Sequence, residues 1–326
     1  MPFYQSSGIK LHYVSRGAVS SEPHHPVLVF EHGIGGDISQ PGRFLAPERT
    51  RIPGDKLTII HADFRGHGQS ELGRVEDLSI ATLAEDLGAL LDHLGIERAM
   101  LGGISMGAAV ALRLAARWPE RCQALILCRP AWNEDGMSQE AREALAFVAE
   151  LLSSKEWRET AIEQLERSEI LASLDQVCPD AGRSLRQQVR SILSRPQARV
   201  SRIACLRQLP CSGGFDHLDR DLEGVRCPTL ILAAEGDPVH PWHFAVRIAE
   251  ALPDCRLLEI KPKSPRDELS HFEEVDHEIG GFVGLLFSPA EDDESGFATD
   301  RSRARIETVT NPAGSIPRAR PDQDSL

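Results

Sequence analysis

Long hydrophobic runs are missing from this sequence: charge or glycine interrupts every apolar stretch short of the ~20 residues a membrane-spanning helix needs. No membrane span and no membrane partner are therefore expected. The opening residues, Met1-Pro2-Phe3-Tyr4-Gln5-Ser6-Ser7, lack the basic start and apolar run of a secretory signal. An excess of positive charge is missing as well. Lys and Arg number 36 against 49 Asp and Glu, a formal net charge of -13. A general nucleic-acid binder needs a basic face to displace phosphate counterions, so no nucleic-acid partner is expected. Paired cysteines are absent too. The seven cysteines are odd in number, scattered, and form no C-x-x-C, which predicts free thiols in a reducing, cytoplasmic setting rather than a disulfide framework. Neither phosphate-loop signature, G-x-x-x-x-G-K-[ST] or G-x-G-x-x-G, occurs.

What is present is enough apolar residue to bury a substantial core, 41% of 326 residues. Phe3 to Ser6 and Ile9 to Val14 read as a hairpin around Ser7-Gly8. Val27 to Phe30, Leu57 to His61, Ala99 to Ile104, Ala124 to Cys128, Thr229 to Ala233 and Arg256 to Ile260 read as strands, most of them continuous apolar runs of the kind a sheet buries on both faces. Amphipathic helices lie between them. One begins at Ser79 and carries Leu83, Leu87, Leu90, Leu91 and Leu94; another follows Ser105 and stops at Trp118-Pro119. This alternation predicts an α/β fold, a mostly parallel sheet with helices on both faces. Strand signals vanish from about Ser138 to Leu209, where Glu140 to Leu152, Trp157 to Leu165, Leu185 to Leu193 and Ala198 to Leu206 are helix-patterned. Residues 131–224 are therefore expected to be a helical lid inserted between core segments 1–130 and 225–287. After Phe287 charge, Pro, Ser and Thr dominate, so 288–326 is expected to be a disordered tail.

The strongest chemical signal is Gly103-Ile104-Ser105-Met106-Gly107, a G-x-S-x-G between a buried strand and a helix. A sharp strand-to-helix turn can hold a serine in a strained conformation with its hydroxyl exposed, and small neighbours let that turn close. The serine then sits where unpaired helix N–H groups favour negative charge. Upstream, Glu31-His32-Gly33-Ile34-Gly35-Gly36 follows another buried strand, and its glycines allow backbone N–H groups to point into a cleft.

His32-Gly33, Asp63-Phe64-Arg65-Gly66-His67-Gly68-Gln69-Ser70 and Gly102-Gly103-Ile104-Ser105-Met106-Gly107 together resemble the α/β-hydrolase superfamily, its esterase, enol-lactonase and C–C-bond hydrolase branch in particular. The likeness follows the element order from Phe3 to Phe287. It implies an α/β-hydrolase sheet, an oxyanion hole made by the N–H groups of Ile34 and Met106, and a structural role for Arg65.

A nucleophilic serine needs a base to take its proton and an acid to orient that base; in this superfamily the chain order is Ser, Asp or Glu, His. Asp237 lies just past the strand Thr229 to Ala233 and matches the acid position, with Glu235 as fallback. For the base, His271 immediately precedes the helix-patterned Phe272 to Phe287 and is preferred to His277, which falls inside it, although Ser270 stands where the superfamily usually has glycine. His240 and His243 have only a loose metal-ligand spacing, with no third ligand cluster. The expectation is thus a serine hydrolase of a small-molecule ester, lactone or related acyl substrate, using Ser105, Asp237 and His271 without cofactor or metal. C–C-bond hydrolase, thioesterase and perhydrolase chemistry on the same triad stay open, as does a ligand-binding or receptor protein of the same fold.

Overall fold

Among the described residues, eight strands form one sheet in the order β1-β2-β4-β3-β5-β6-β7-β8. They are β1 (Phe3–Ser6), β2 (Ile9–Arg16), β3 (Val27–Glu31), β4 (Thr58–Ala62), β5 (Ala99–Ile104), β6 (Cys122–Cys128), β7 (Thr229–Ala233) and β8 (Cys255–Glu259). The computed structural model describes residues 2–17, 25–45, 57–261 and 268–287; the tail expected from residue 288 lies outside them. β1 and β2 form the expected hairpin, turned by Ser7 and Gly8 at positive φ (48° and 76°). β2 joins β4 antiparallel, and every pairing from β4 to β8 is parallel. This is the mostly parallel α/β fold class expected from the sequence.

The alternation of strand side chains separates two apolar layers. Val29, Leu101, Leu125, Leu127 and Ile231 pack with α2 (Ile80–His93), α3 (Met106–Arg117) and α10 (Trp242–Ala251). Leu28, Phe30, Met100, Ile126, Leu230 and Leu232 pack with α11 (Glu268–Phe287) on the other face. A short α1 (Pro41–Phe44) follows β3 and touches α11. Among the described residues, no helix is long and apolar enough to cross a membrane.

Between β6 and β7 run α4 (Gln139–Ser153), α5 (Trp157–Glu166), α6 (Glu169–Val177), α7 (Pro179–Ser194), α8 (Arg199–Gln208) and α9 (Leu218–Leu222). α6, nine residues capped by Ser168 and ended at Cys178-Pro179, was not among the helices expected from the sequence. Trp132 at the start of this insertion is core: it is buried and donates to the Leu209 carbonyl at 3.1 Å. The insertion touches loops at the carboxyl ends of three strands. Gln188 bonds to Ile34 after β3, Cys205 to Arg65 after β4, and Ser138 to Pro238 after β7.

Candidate active site

From β3 the chain steps outward to β4, then returns past β3 to β5 and continues the other way. The carboxyl ends of β3 and β5 therefore flank a topological switch point, where parallel α/β sheets open a crevice. The loop Glu31-His32-Gly33-Ile34-Gly35-Gly36 leaves β3 there, and Ser105 leaves β5. Arg129 and Asp237 follow β6 and β7 on the same edge.

Ser105 has φ 55° and ψ -105°, a left-handed conformation that a side chain adopts only under constraint. The constraint is visible. Ser105 N donates to the Cys128 carbonyl at 2.8 Å, and Ala109 N to the Ser105 carbonyl at 3.1 Å. Gly103 and Gly107 are needed by close approach: an added Cβ would lie 2.7 Å from the Glu31 carbonyl oxygen at the first and 2.5 Å from it at the second. Ser105 is buried, at the start of α3. Among the described residues no acceptor takes the N–H of Met106 or of Ile34.

Asp237 is also buried. Its Oδ1 accepts from the N–H groups of Val239 (3.0 Å) and His240 (3.1 Å), an Asx-type turn made by Asp237-Pro238-Val239-His240. The turn folds the His240 ring back over the same carboxylate. His240 Nδ1 lies 2.9 Å from Asp237 Oδ2, and His240 Nε2 lies 3.0 Å from Ser105 Oγ. The second neighbour of Oδ2 is the Arg129 guanidinium, with Nε at 3.1 Å and a further bond from Nη2. Burial opposes the charge on Asp237, but His240 and Arg129 together hold its carboxyl far below the usual carboxylate range.

Ser105 and Asp237 are thus brought together, whereas the expected base His271 is not with them. α11 begins at Glu268, so His271 falls in the helix's first turn rather than in a loop before it. Its Nδ1 is bonded to the Lys261 carbonyl at 3.0 Å, and neither Ser105 nor Asp237 is among its described partners. The imidazole between acid and serine is that of His240. His277 is exposed along α11, and Glu235 is exposed beside Asp237. The sequence cue at His240 is the spacing Asp-Pro-x-His, which permits an Asx turn after Asp237 but does not specify that the ring folds back onto the carboxylate.

The remaining motif holds the edge together. Asp63 Oδ2 lies 2.7 Å from His12 Nδ1 and accepts from Gln69 N, while its Oδ1 accepts from Ile38 N at 2.9 Å. Arg65 makes a buried two-point pair with Asp86 of α2, a structural placement. His32 Nδ1 donates to the Gly33 carbonyl at 2.8 Å, and its Nε2 accepts from Phe64 N at 3.1 Å. Burial lowers the His32 pKa and so favours this neutral form.

A family profile described as "alpha/beta hydrolase fold" matches residues 26–264. Among curated proteins, the chain is 28% identical over 236 residues to a putative carbamate hydrolase, RutD, of Pseudomonas savastanoi pv. phaseolicola, covering 72% of this chain and 84% of that protein. It is 27% identical over 267 residues to 3-oxoadipate enol-lactonase 1 of Acinetobacter baylyi, covering 81% and 89%. Among solved structures, an esterase from Thermogutta terrifontis matches at TM-score 0.62 with 24% identity, over 88% of this chain and 99% of that one. The enol-lactonase of Burkholderia xenovorans LB400 matches at TM-score 0.62 with 21% identity, over 88% and 100%. At those identities the structural likeness speaks to the fold.

Proposed function

The chain belongs to the α/β-hydrolase fold family, and on that premise we propose that it is a serine hydrolase of carboxylic esters, lactones or related acyl compounds. One observation carries the reading: the hydrogen-bond chain from Ser105 Oγ through His240 to Asp237, at 3.0 and 2.9 Å, on a strained strand-to-helix turn. The names of the carbamate hydrolase and enol-lactonase relatives fit the same step, because each substrate class offers an acyl carbon to a nucleophile.

In this reading His240 donates Nδ1–H to Asp237, which leaves Nε2 free to accept the Ser105 proton. Ser105 Oγ attacks the acyl carbon, and the displaced electron pair rests on the carbonyl oxygen. The N–H groups of Ile34 and Met106 are the donors proposed to receive it, one from the β3 loop and one from the start of α3. Collapse expels the alcohol, which takes the proton from His240. Water then enters, His240 accepts its proton, and the acyl-enzyme is cleaved to the carboxylic acid and free Ser105. Helices α4–α9 act as a lid over this edge and shape the acyl pocket.

A fluorophosphonate probe tests the nucleophile directly. The wild type is expected to be labelled once, with the adduct mapped to Ser105, and to turn over p-nitrophenyl butyrate. Equal labelling or equal turnover by Ser105→Ala would overturn the reading.

A further inference from the structure

The peptide joining Ile34 to Gly35 is gripped at both ends. Its N–H, on Gly35, donates to His67 Nε2 at 3.1 Å, and its carbonyl, on Ile34, accepts from Gln188 Nε2 at 2.7 Å. His67 comes from the loop after β4, but Gln188 comes from α7, 154 residues away in the insertion.

Both grips are themselves fixed. His67 Nδ1 donates to the Arg65 carbonyl at 2.9 Å, so Nε2 keeps its lone pair for Gly35. Burial, reinforced by the nearby Arg202 guanidinium and by His32, holds the His67 pKa well below its ordinary value, which keeps that ring neutral. Arg202 of α8 donates from Nη1 to the Gln188 amide at 3.0 Å. A guanidinium can only donate, so the contact must be to Oε1, and the amide NH2 is turned toward Ile34. Gln188, Arg202 and His67 are all buried. Gly35 lets Gln188 rest directly on the loop: its φ is +79°, and an added Cβ would lie 1.8 Å from the Gln188 amide.

The preceding peptide, Gly33–Ile34, carries the N–H proposed to receive the oxyanion. Its carbonyl already accepts from Gly36 N at 3.0 Å and His32 Nδ1 at 2.8 Å. The peptide before that has Gly33 N bonded to Gln40 Oε1 at 2.7 Å. Three consecutive peptides are thus held, and among the described residues that hold them only Gln188 belongs to the insertion. We propose that Gln188 is a positioning residue for the oxyanion donor Ile34, so that seating of the helical insertion on the β3 loop sets the geometry of the oxyanion hole. This rests on the Ser105 reading above. A released loop leaves the donor in place on average but no longer pre-aimed, a loss felt where charge develops and hardly at all in ground-state binding.

Two substitutions in the full chain separate positioning from packing. Gln188→Glu keeps acceptor oxygens for Arg202 but has no N–H for the Ile34 carbonyl; Gln188→Met keeps the volume and loses both bonds. Each is compared with the wild type for kcat and KM on p-nitrophenyl butyrate, and for inhibition by a trifluoromethyl ketone, whose tetrahedral adduct carries the oxyanion. Since removing one oxyanion donor costs ~10²–10³ in kcat, both variants are expected to lose ~10–100-fold in kcat with KM within ~3-fold. The inhibition constant should rise by a factor matching the kcat loss. If kcat stays within ~3-fold in both, if only KM rises, or if kcat falls without weaker ketone binding, the proposal is wrong. Should circular dichroism show the Met variant unfolded, the Glu variant decides alone. Turnover by Ser105→Ala equal to the wild type would instead remove the serine reading itself, and is told apart by that control.

Discussion

The strand-to-helix turn that carries Ser105 and the loop that carries His240 meet at 3.0 Å, but they are built differently. At Ser105 the backbone does the holding: positive φ, two main-chain hydrogen bonds, and glycines whose absent side chains let β5 and α3 approach the β3 carbonyl. At His240 side chains do it: one carboxylate accepts two backbone N–H groups and the imidazole, and shares its outer oxygen with Arg129. A backbone device writes itself into the sequence as obligatory residue types at fixed spacing. A side-chain device depends on which ring finds the carboxylate in three dimensions.

The sharpest way to break that comparison is to remove each histidine in turn. His240→Ala is expected to lower kcat by ~10⁴-fold or more if Ser105, His240 and Asp237 work as the proposed triad, whose members act as a unit. His271→Ala should stay within ~10-fold, since its ring is tied to the Lys261 carbonyl after β8. Both are assayed on p-nitrophenyl butyrate, with circular dichroism confirming the fold. A dead His271→Ala beside an active His240→Ala would reverse the assignment of the base.

The same contrast explains which features are legible in the amino-acid sequence. The strands of the parallel sheet were legible within a residue or two because their buried runs are continuous and bounded by turn residues, as at Val27–Glu31 and Thr229–Ala233. The strained turn at Ser105 was legible for the steric reason above, and the place of Asp237 because it follows a buried strand at the same edge of the sheet. His240 was not. Superfamily chain order directs attention beyond β8, and nothing in hydrophobic periodicity reveals that Pro238 and Val239 complete a turn over Asp237. The Gln188 contact was invisible for the same reason, being a tertiary hydrogen bond across 154 residues.

The backbone side of the comparison predicts the next largest effect. In Gly107→Ala the new methyl would sit 2.5 Å from the Glu31 carbonyl oxygen, and its three nearest neighbours are all backbone atoms of Glu31 and His32, with no flexible side chain to yield. Overpacking of this kind costs about 2–3 kcal/mol, a fall in Tm of roughly 4–6 °C for a domain of this size. Gly88→Ala in α2 is the control: the nearest atom to its added Cβ is 3.7 Å away, on Trp118. It should be neutral or gain ~0.5 kcal/mol from helix propensity. Equal melting temperatures for the two variants would show that the close approach is not what holds the turn.

Acid should reach the backbone device through the histidines buried around it. Burial pushes His61 down to about 4, although its bond to the Phe30 carbonyl opposes the shift. Burial likewise lowers His32 and His67. For a histidine whose folded pKa lies below its unfolded value, the unfolded chain binds more protons in the interval between them. The stability is present in full above the unfolded value, ~6.5, and is lost as pH falls toward the folded value. Chemical denaturation at successive pH values should therefore show stability declining from pH ~6.5 to ~4, by up to ~1.4 kcal/mol per pH unit for each such histidine. His61→Asn should flatten the slope by about one histidine's share; an unchanged slope would mean that His61 is not among the groups protonated on unfolding.

The smallest effect tests whether the side-chain device depends on the insertion. Ser138 caps α4 by accepting from Ala141 N at 3.2 Å, and the same hydroxyl donates to the Pro238 carbonyl at 2.8 Å. One oxygen therefore starts the first helix of the insertion and tethers the turn between Asp237 and His240. Loss of a serine cap alone costs ~1 kcal/mol. If the tether also orients His240, Ser138→Ala should lower kcat ~3-fold beyond what partial unfolding explains. Ser138→Asp separates the two roles, because a carboxylate still caps the helix but has no proton to give the Pro238 carbonyl. Its Tm should match the wild type while its kcat matches Ser138→Ala. If Ser138→Asp instead keeps full kcat, the hydroxyl serves the helix alone, and the Asp237 turn holds His240 without help from the insertion.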